Sequence, residues 1–270
     1  MHPVLTRHVA SLTAYDVRAA PGVHRGLPGT AMTFVVALDE PIDVAWADTP
    51  YERRVGWSCL SGLHERPAWI RHGRRQRGVQ VGLTPAGVRA LLGVPVGALQ
   101  GQLLDLEDLG RDLPECLRWL PEEAAGMSVD AAALLVERRC AEALAMRDPV
   151  APRAEVAQAL AQLTRGAAVA EVADAVGWSR RHLTTQVRAE CGLAPKQFQR
   201  VARFERSRDL WRQVHLTSTD TRTLADVGAV CGYADQAHLT REWQVFAGCS
   251  PTRWAREEFP GVQDGGRGTA

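Results

Sequence analysis

The chain has 270 residues, of which 46% are apolar, and a formal net charge of +1. That length and apolar content fit one large domain or two ordinary ones with a real core, and they exclude a disordered chain. No apolar run approaches the roughly 20 residues that span a bilayer, and the N-terminus lacks the basic-then-apolar order of a signal peptide. A cytoplasmic protein with no membrane partner is therefore expected.

In chain order the first half has a β texture. Residues 31–38 (AMTFVVAL), 55–63 (VGWSCLSGL), 66–72 (RPAWIRH) and 78–83 (GVQVGL) are rich in β-branched or aromatic residues and bounded by turn formers. Thr84 then offers an N-cap and Pro85 a first helical residue, with Val88, Leu91 and Leu92 on one face. Residues 128–146 predict a longer helix with Ala133, Val136, Cys140 and Leu144 along one side. Pro149 and Pro152 mark a linker. After it the pattern predicts helices only, over 153–164, 169–176, 180–191, 196–213, 224–230, 236–247 and 251–258, and a Gly-rich disordered tail. The fold class is α+β: a β-rich barrel with appended helices (1–148), then an all-α domain (153–259) and the tail 260–270.

The six cysteines, Cys59, Cys116, Cys140, Cys191, Cys231 and Cys249, form no C-x-x-C pair, which argues against a zinc cluster or a redox motif. No Walker A loop, G-x-S-x-G elbow or H-E-x-x-H sequence is present, so an enzyme is not expected and no cofactor is implied. Charge is uneven, however: from Ser179 to Arg212 there are nine basic residues against three acidic ones.

The second half contains a repeat. VAEVADAVGWS…HLTTQVRAECGLAPKQF aligns with LADVGAVCGYA…HLTREWQVFAGCSPTRW, pairing Gly177 with Gly232, Trp178 with Tyr233, Leu183 with Leu239, Gly192 with Gly248, Pro195 with Pro251 and Phe198 with Trp254. The second copy has one extra residue in its turn. Each copy is a helix, a tight turn through Gly and an aromatic, and a second helix, which is the grammar of a helix-turn-helix. The glycine implies a backbone with φ > 0, and the aromatic a wedge between the helices.

Projected at about 100° per residue, Leu183, Val187 and Cys191 share the buried arc of the first reading helix. Arg181, Thr185 and Arg188 share the opposite arc, with His182 and Thr184 at its edges and Ser179 at the N-cap, where it can reach a phosphate. In the second helix Leu239, Trp243 and Phe246 are buried, while Ala237, Arg241 and Gln244 face out between His238 and Thr240. Arg pairs bidentately with guanine, Gln with adenine, and Thr or Ala with a thymine methyl, so these eleven residues are the candidate DNA-binding set. The first helix is expected to supply more affinity and the second more selectivity. The connecting helix buries Phe198, Val201, Phe204 and Leu210, and its arginines are expected on a solvated face or against phosphates.

With these motifs in view, the segment from about Ala157 to Glu258 resembles the DNA-binding domain of AraC/XylS-type bacterial transcription regulators. The resemblance implies two helix-turn-helix subdomains on one long helix, reading successive major grooves. Leu239 and Trp243 stand where the family usually carries Phe, an apolar-for-apolar departure. More weakly, PGVHRGLPGTAMTFVVALDEPIDV and SGLHERPAWIRHGRRQRGVQVGLTPAGVRALLGVPVGAL resemble N-terminal domains of such regulators, which implies a cupin-like domain for effector sensing or dimerisation. The H-x-H pair of metal-binding cupins is absent; His64 and His72 are the nearest candidate ligand pair, and no metal is expected. The implied partners are promoter DNA, a small-molecule effector, a second copy of the chain and, for an activator, RNA polymerase. The rival within this class is a constitutive regulator whose N-terminal domain only dimerises, with the 128–146 helix supplying the interface.

Overall fold

A computed structural model of the chain describes residues 2–146, 152–217 and 219–259. The Pro149 side of the expected linker and the tail 260–270 lie outside the described residues.

The first half contains β1 (Val9–Arg18), β2 (Gly22–Gly26), β3 (Met32–Ala37), β4 (Ile42–Trp46), β5 (Arg54–Gly56), β6 (Ser58–Ser61), β7 (Ala68–His72), β8 (Arg75–Leu83), α1 (Pro85–Leu92), β9 (Leu103–Leu104), α2 (Glu115–Arg118), α3 (Leu120–Ala124) and α4 (Val129–Ala145). The strands form two antiparallel sheets, one ordered β1-β8-β3-β6-β9 and the other β2-β7-β4-β5. Alternation orients them. Met32, Phe34 and Val36 of β3 and Val79, Val81 and Leu83 of β8 turn the same way and are all buried. Between the sheets, Val44, Trp46 and Ala68 of the second meet Cys59 and Leu103 of the first. Burying each large apolar side chain of this kind contributes about 1.5–3 kcal/mol.

α1 starts as its sequence predicts: the Gly87 amide donates to Thr84 Oγ1 at 3.0 Å, and Val88, Leu91 and Leu92 are buried. α4 packs across β1 and β8. Its buried face is rotated slightly from the predicted one. Ala132, Leu135, Val136, Cys140 and Ala143 form its centre, with Ala133 and Leu144 half-buried at the margins. α4 is thus an internal packing helix, although Leu134 on its outer side is 68% exposed.

The second half is α5 (Ala154–Thr164), α6 (Val169–Ala175), α7 (Arg180–Cys191), α8 (Pro195–Leu216), α9 (Leu224–Cys231), α10 (Gln236–Ala247) and α11 (Pro251–Glu258). Phe198, Val201 and Phe204 of α8 are buried and Leu210 is partly so, as the helical period requires. Phe204 sits at the centre of an aromatic cluster, 5.1 Å from both Trp243 and Phe246, and Trp243 continues to Trp254 at 5.3 Å. The buried indole of Trp243 donates to Ser207 Oγ at 3.0 Å, and Ser207 donates to the Phe204 carbonyl at 2.8 Å. A polar chain inside an apolar cluster is thereby satisfied.

The two halves share one continuous apolar cluster, from Val79 and Leu91 through Leu160 to Trp243. Polar contacts line the seam. Glu205 of α8 accepts from the Thr30 amide at 3.0 Å and its hydroxyl at 2.7 Å; Gln197 donates to Glu65 at 2.6 Å; Arg25 pairs with Glu257.

Candidate nucleic-acid interface

The two turns are built alike. At Gly177 φ is 70° and at Gly232 it is 80°, a region that costs a side chain about 1–2 kcal/mol. Each turn closes with matching backbone bonds: Trp178 N–H to the Ala173 carbonyl and Tyr233 N–H to the Gly228 carbonyl, both 2.9 Å. The next helix is then capped, α7 by Ser179, which accepts from the His182 amide at 3.1 Å, and α10 by Asp235, which accepts from the His238 amide. The repeat extends to a contact that the sequence did not announce. Trp178 meets His182 edge-on at 4.8 Å, and Tyr233 meets His238 edge-on at 5.3 Å. The turn aromatic therefore fixes the start of each reading helix as well as the helix crossing. Burial raises the Tyr233 phenol to about 12, keeping it neutral in that role.

On α7, Leu183, Val187 and Cys191 are fully buried. Ser179, Arg181, His182, Thr185 and Arg188 are exposed and Thr184 is half-exposed. On α10, Leu239, Trp243 and Phe246 are buried, whereas Ala237, Arg241 and Gln244 are exposed and His238 and Thr240 half-exposed. Arg180, Arg181, Arg188 and Arg241 form no ion pair among the described residues, so their guanidinium forks are available to an outside anion.

Three details refine the chemistry of these faces. Thr184, Thr185 and Thr240 donate their hydroxyl protons to the carbonyls of Arg180, Arg181 and Gln236, at 2.8, 3.1 and 2.9 Å. Toward a base edge they present an acceptor and a methyl group rather than a donor. His238 is held inward: its Nδ1 accepts from the Ala234 amide at 3.3 Å. The arginines of α8, finally, are largely occupied. Arg200 and Arg203 both bind Glu242, at 2.8 and 3.0 Å, and Arg206 donates to the Thr164 carbonyl. The solvated or phosphate-facing side expected for them is, for Arg200 and Arg203, a half-buried ionic joint between α8 and α10.

Glu242 and Glu190 are residues of the two reading helices that the helical projection passed over. Each sits on a reading helix yet is buried, at 6% and 5% exposure. Glu190 pairs with Arg89 of α1 at 2.7 Å, tying the end of the first reading helix to the N-terminal half. Beside it, Gly97 lies so close that a Cβ there would stand 2.8 Å from the Gly192 nitrogen and 2.9 Å from the Ala189 and Arg188 oxygens. The available signal was an acidic residue inside an apolar arc, which in a folded helix demands a buried partner.

His64 and His72 are placed apart in role. His64 lies tilted against Trp46 at 4.7 Å, and His72 lies against His24 at 5.4 Å. Among the described residues no group of three or more His, Cys, Asp or Glu side chains is arranged to hold a metal ion. No helix among them is long and apolar enough to cross a membrane.

Residues 172–257 match the helix-turn-helix domain family. No curated protein matches the chain in sequence. Among solved structures, the chain is similar to ToxT from Vibrio cholerae O395, with 9% identity, 90% of this chain and 96% of that chain covered and a TM-score of 0.50. A second crystal form of Vibrio cholerae ToxT gives 10% identity, coverages of 90% and 97% and a TM-score of 0.53. ToxT from strain SCE256 with an unsaturated fatty acid bound gives 10%, coverages of 92% and 95% and a TM-score of 0.51. At such identities the likeness is one of fold: a β-rich N-terminal half followed by paired helical heads.

Proposed function

We propose that the chain is a sequence-specific transcription regulator whose two reading helices enter successive major grooves of promoter DNA. The observation that carries this reading is the pair of matched heads, each with a buried apolar arc and an outer arc of exposed side chains. Arg181 and Arg188 suit guanine, Gln244 suits adenine, and Ala237 and the threonine methyls suit thymine. Ser179 and Arg241 suit the flanking phosphates or base edges, and His182 and His238 frame the two entry points. Residues 1–148 form the regulatory unit and 153–259 the reading unit.

Regulation by a small molecule in the N-terminal half is part of the proposal. Its supports are the fatty acid bound by the similarly folded ToxT and the grip of α1 and the Gly97 segment on the end of α7. A ligand that moved that grip would reorient the first head. For an activator, RNA polymerase is the further partner, and a second copy of the chain fits a divided operator.

The test uses the full chain on genomic fragments at moderate ionic strength, followed by binding to the selected site with each base pair replaced in turn. Arg181→Ala and Arg188→Ala should each cost about 1–3 kcal/mol of binding and relax preference at one position. Equal affinity of the wild-type chain for all duplexes refutes the reading. Effectors are sought by screening small molecules for a raised melting temperature of the full chain.

A further inference from the structure

A cleft of about 600 Å³ opens between the two heads. Its floor is α8, one rim is the turn between α5 and α6, and the other is the tight turn of the second head at Gly232. Five of the residues that line it are cations, Arg165, Lys196, Arg200, Arg203 and Arg206, and none is an acid. Two of the five face carboxylates from behind: Arg200 and Arg203 share the buried Glu242, and Arg200 also faces Glu65 at 3.7 Å. Arg206 is held by a carbonyl alone. Arg165 and Lys196 are exposed and have no ion pair among the described residues. The lining thus keeps at least three positive charges with no counter-charge of their own. Concentrating like charges in a concave site is unfavourable unless an anion enters it.

We infer that this cleft takes the sugar-phosphate backbone that runs between the two grooves, with Arg165, Lys196 and Arg206 as its phosphate contacts. The inference rests on the proposed function, because the duplex must already engage both heads. A duplex with consecutive major grooves so occupied carries the strands flanking its minor groove across the space between them. Those strands hold one negative charge per about 1.7 Å of axis, and the cleft is bounded by one turn from each head. The contact is with phosphate, so it is blind to sequence. It sets how far apart and at what angle the two heads sit on the DNA.

The test is fluorescence anisotropy of the full chain on a mixed-sequence duplex and on the selected site, each about 30 base pairs long to span both heads, over a series of salt concentrations. Arg165→Ala and Lys196→Ala should each weaken binding by the same factor on both duplexes. Each should lower the slope of log K against log salt by about 0.9, and the double variant by about twice that. Arg165→Lys should restore the slope. The base preference read by Arg181 should not move. Wild-type slopes in variants that melt like the wild type overturn the inference. So does a rise in melting temperature with inorganic phosphate or pyrophosphate, in the absence of DNA, that the double variant loses while its slope is unchanged; the cleft would then hold a free phosphate compound. If the wild-type chain binds no duplex, the proposed function itself fails. If it binds and Arg181→Ala relaxes its preference while the cleft variants keep the slope, only the cleft assignment fails.

Discussion

Replacing Glu242 by Ala tests whether the ionic joint beneath the second head holds it in place. The carboxylate side chain is only 7% exposed and receives Arg200 at 2.8 Å and Arg203 at 3.0 Å, whose side chains are 33% and 20% exposed. Removing one partner of a fully buried ion pair costs about 3–5 kcal/mol. Here water reaches both arginines, and Arg200 retains Glu65 at 3.7 Å, so about 2–3 kcal/mol is expected. For a chain of this size that lowers the melting temperature by roughly 4–12 °C. Glu242→Gln keeps the acceptor oxygen and should lose about half as much. The loss should persist in high salt, because a buried pair is poorly screened. Circular dichroism melts of both variants in low and high salt supply the reading. A Glu242→Ala melt that overlays the wild type, or a loss that salt erases, refutes the argument, since either result makes the joint a surface pair.

Other consequences are measurable in the same way. Burial holds His64 at about 4, well below its ordinary 6.5, despite the hydrogen bond it makes to the Arg66 carbonyl. The unfolded chain therefore binds a proton that the folded chain refuses as pH falls from about 6.5 toward about 4, and stability declines across that window by at most ~3 kcal/mol from this group. His64→Gln should flatten that decline, and a pH profile of melting temperature identical to the wild type would contradict it. Gly97→Ala forces a methyl against three backbone atoms of the first reading head and should cost about 1–3 kcal/mol, seen as a lower melting temperature together with altered affinity for the selected site. Arg89→Ala strands the buried Glu190 and should cost about 2–4 kcal/mol; a chemical-denaturation midpoint unchanged from wild type would show that Glu190 finds another partner. Trp243→Phe removes the indole donor to Ser207 and should cost about 1–2 kcal/mol, also by denaturation.

The helical half was legible because its punctuation is local. Pro195 and Pro251 open helices, Gly192 and Gly248 close them at φ of 77° and 67°, and the apolar arcs between repeat at helical spacing. In the β half the strands that could be read were β3, β5–β6, β7 and β8, whose runs are rich in β-branched or aromatic residues. β3 and β8 stood out, whereas β1 did not: it is the edge strand of its sheet, and nine of its ten residues reach solvent wholly or in part, in irregular order. β2 and β4 are five residues each, too short for alternation to register. The outer faces of α7 and α10 followed from projection alone, but what anchors them did not. Arg89 and Glu190 are 101 residues apart in the chain, and no local pattern pairs two such distant charges. The same blindness assigned Arg200 and Arg203 to solvent or phosphate, when both answer Glu242 inside the fold.

The uninterrupted apolar cluster that joins the halves bears on how the chain can be dissected. Cutting it after the sheets would leave a scar of water-exposed leucine and valine on each fragment and an orphaned carboxylate at the end of α7. A fragment that aggregates or loses its grip on DNA would then be reporting the wound, not the absence of a sensor. Point changes along the seam, made in the intact chain, separate the contributions of the two halves without that injury.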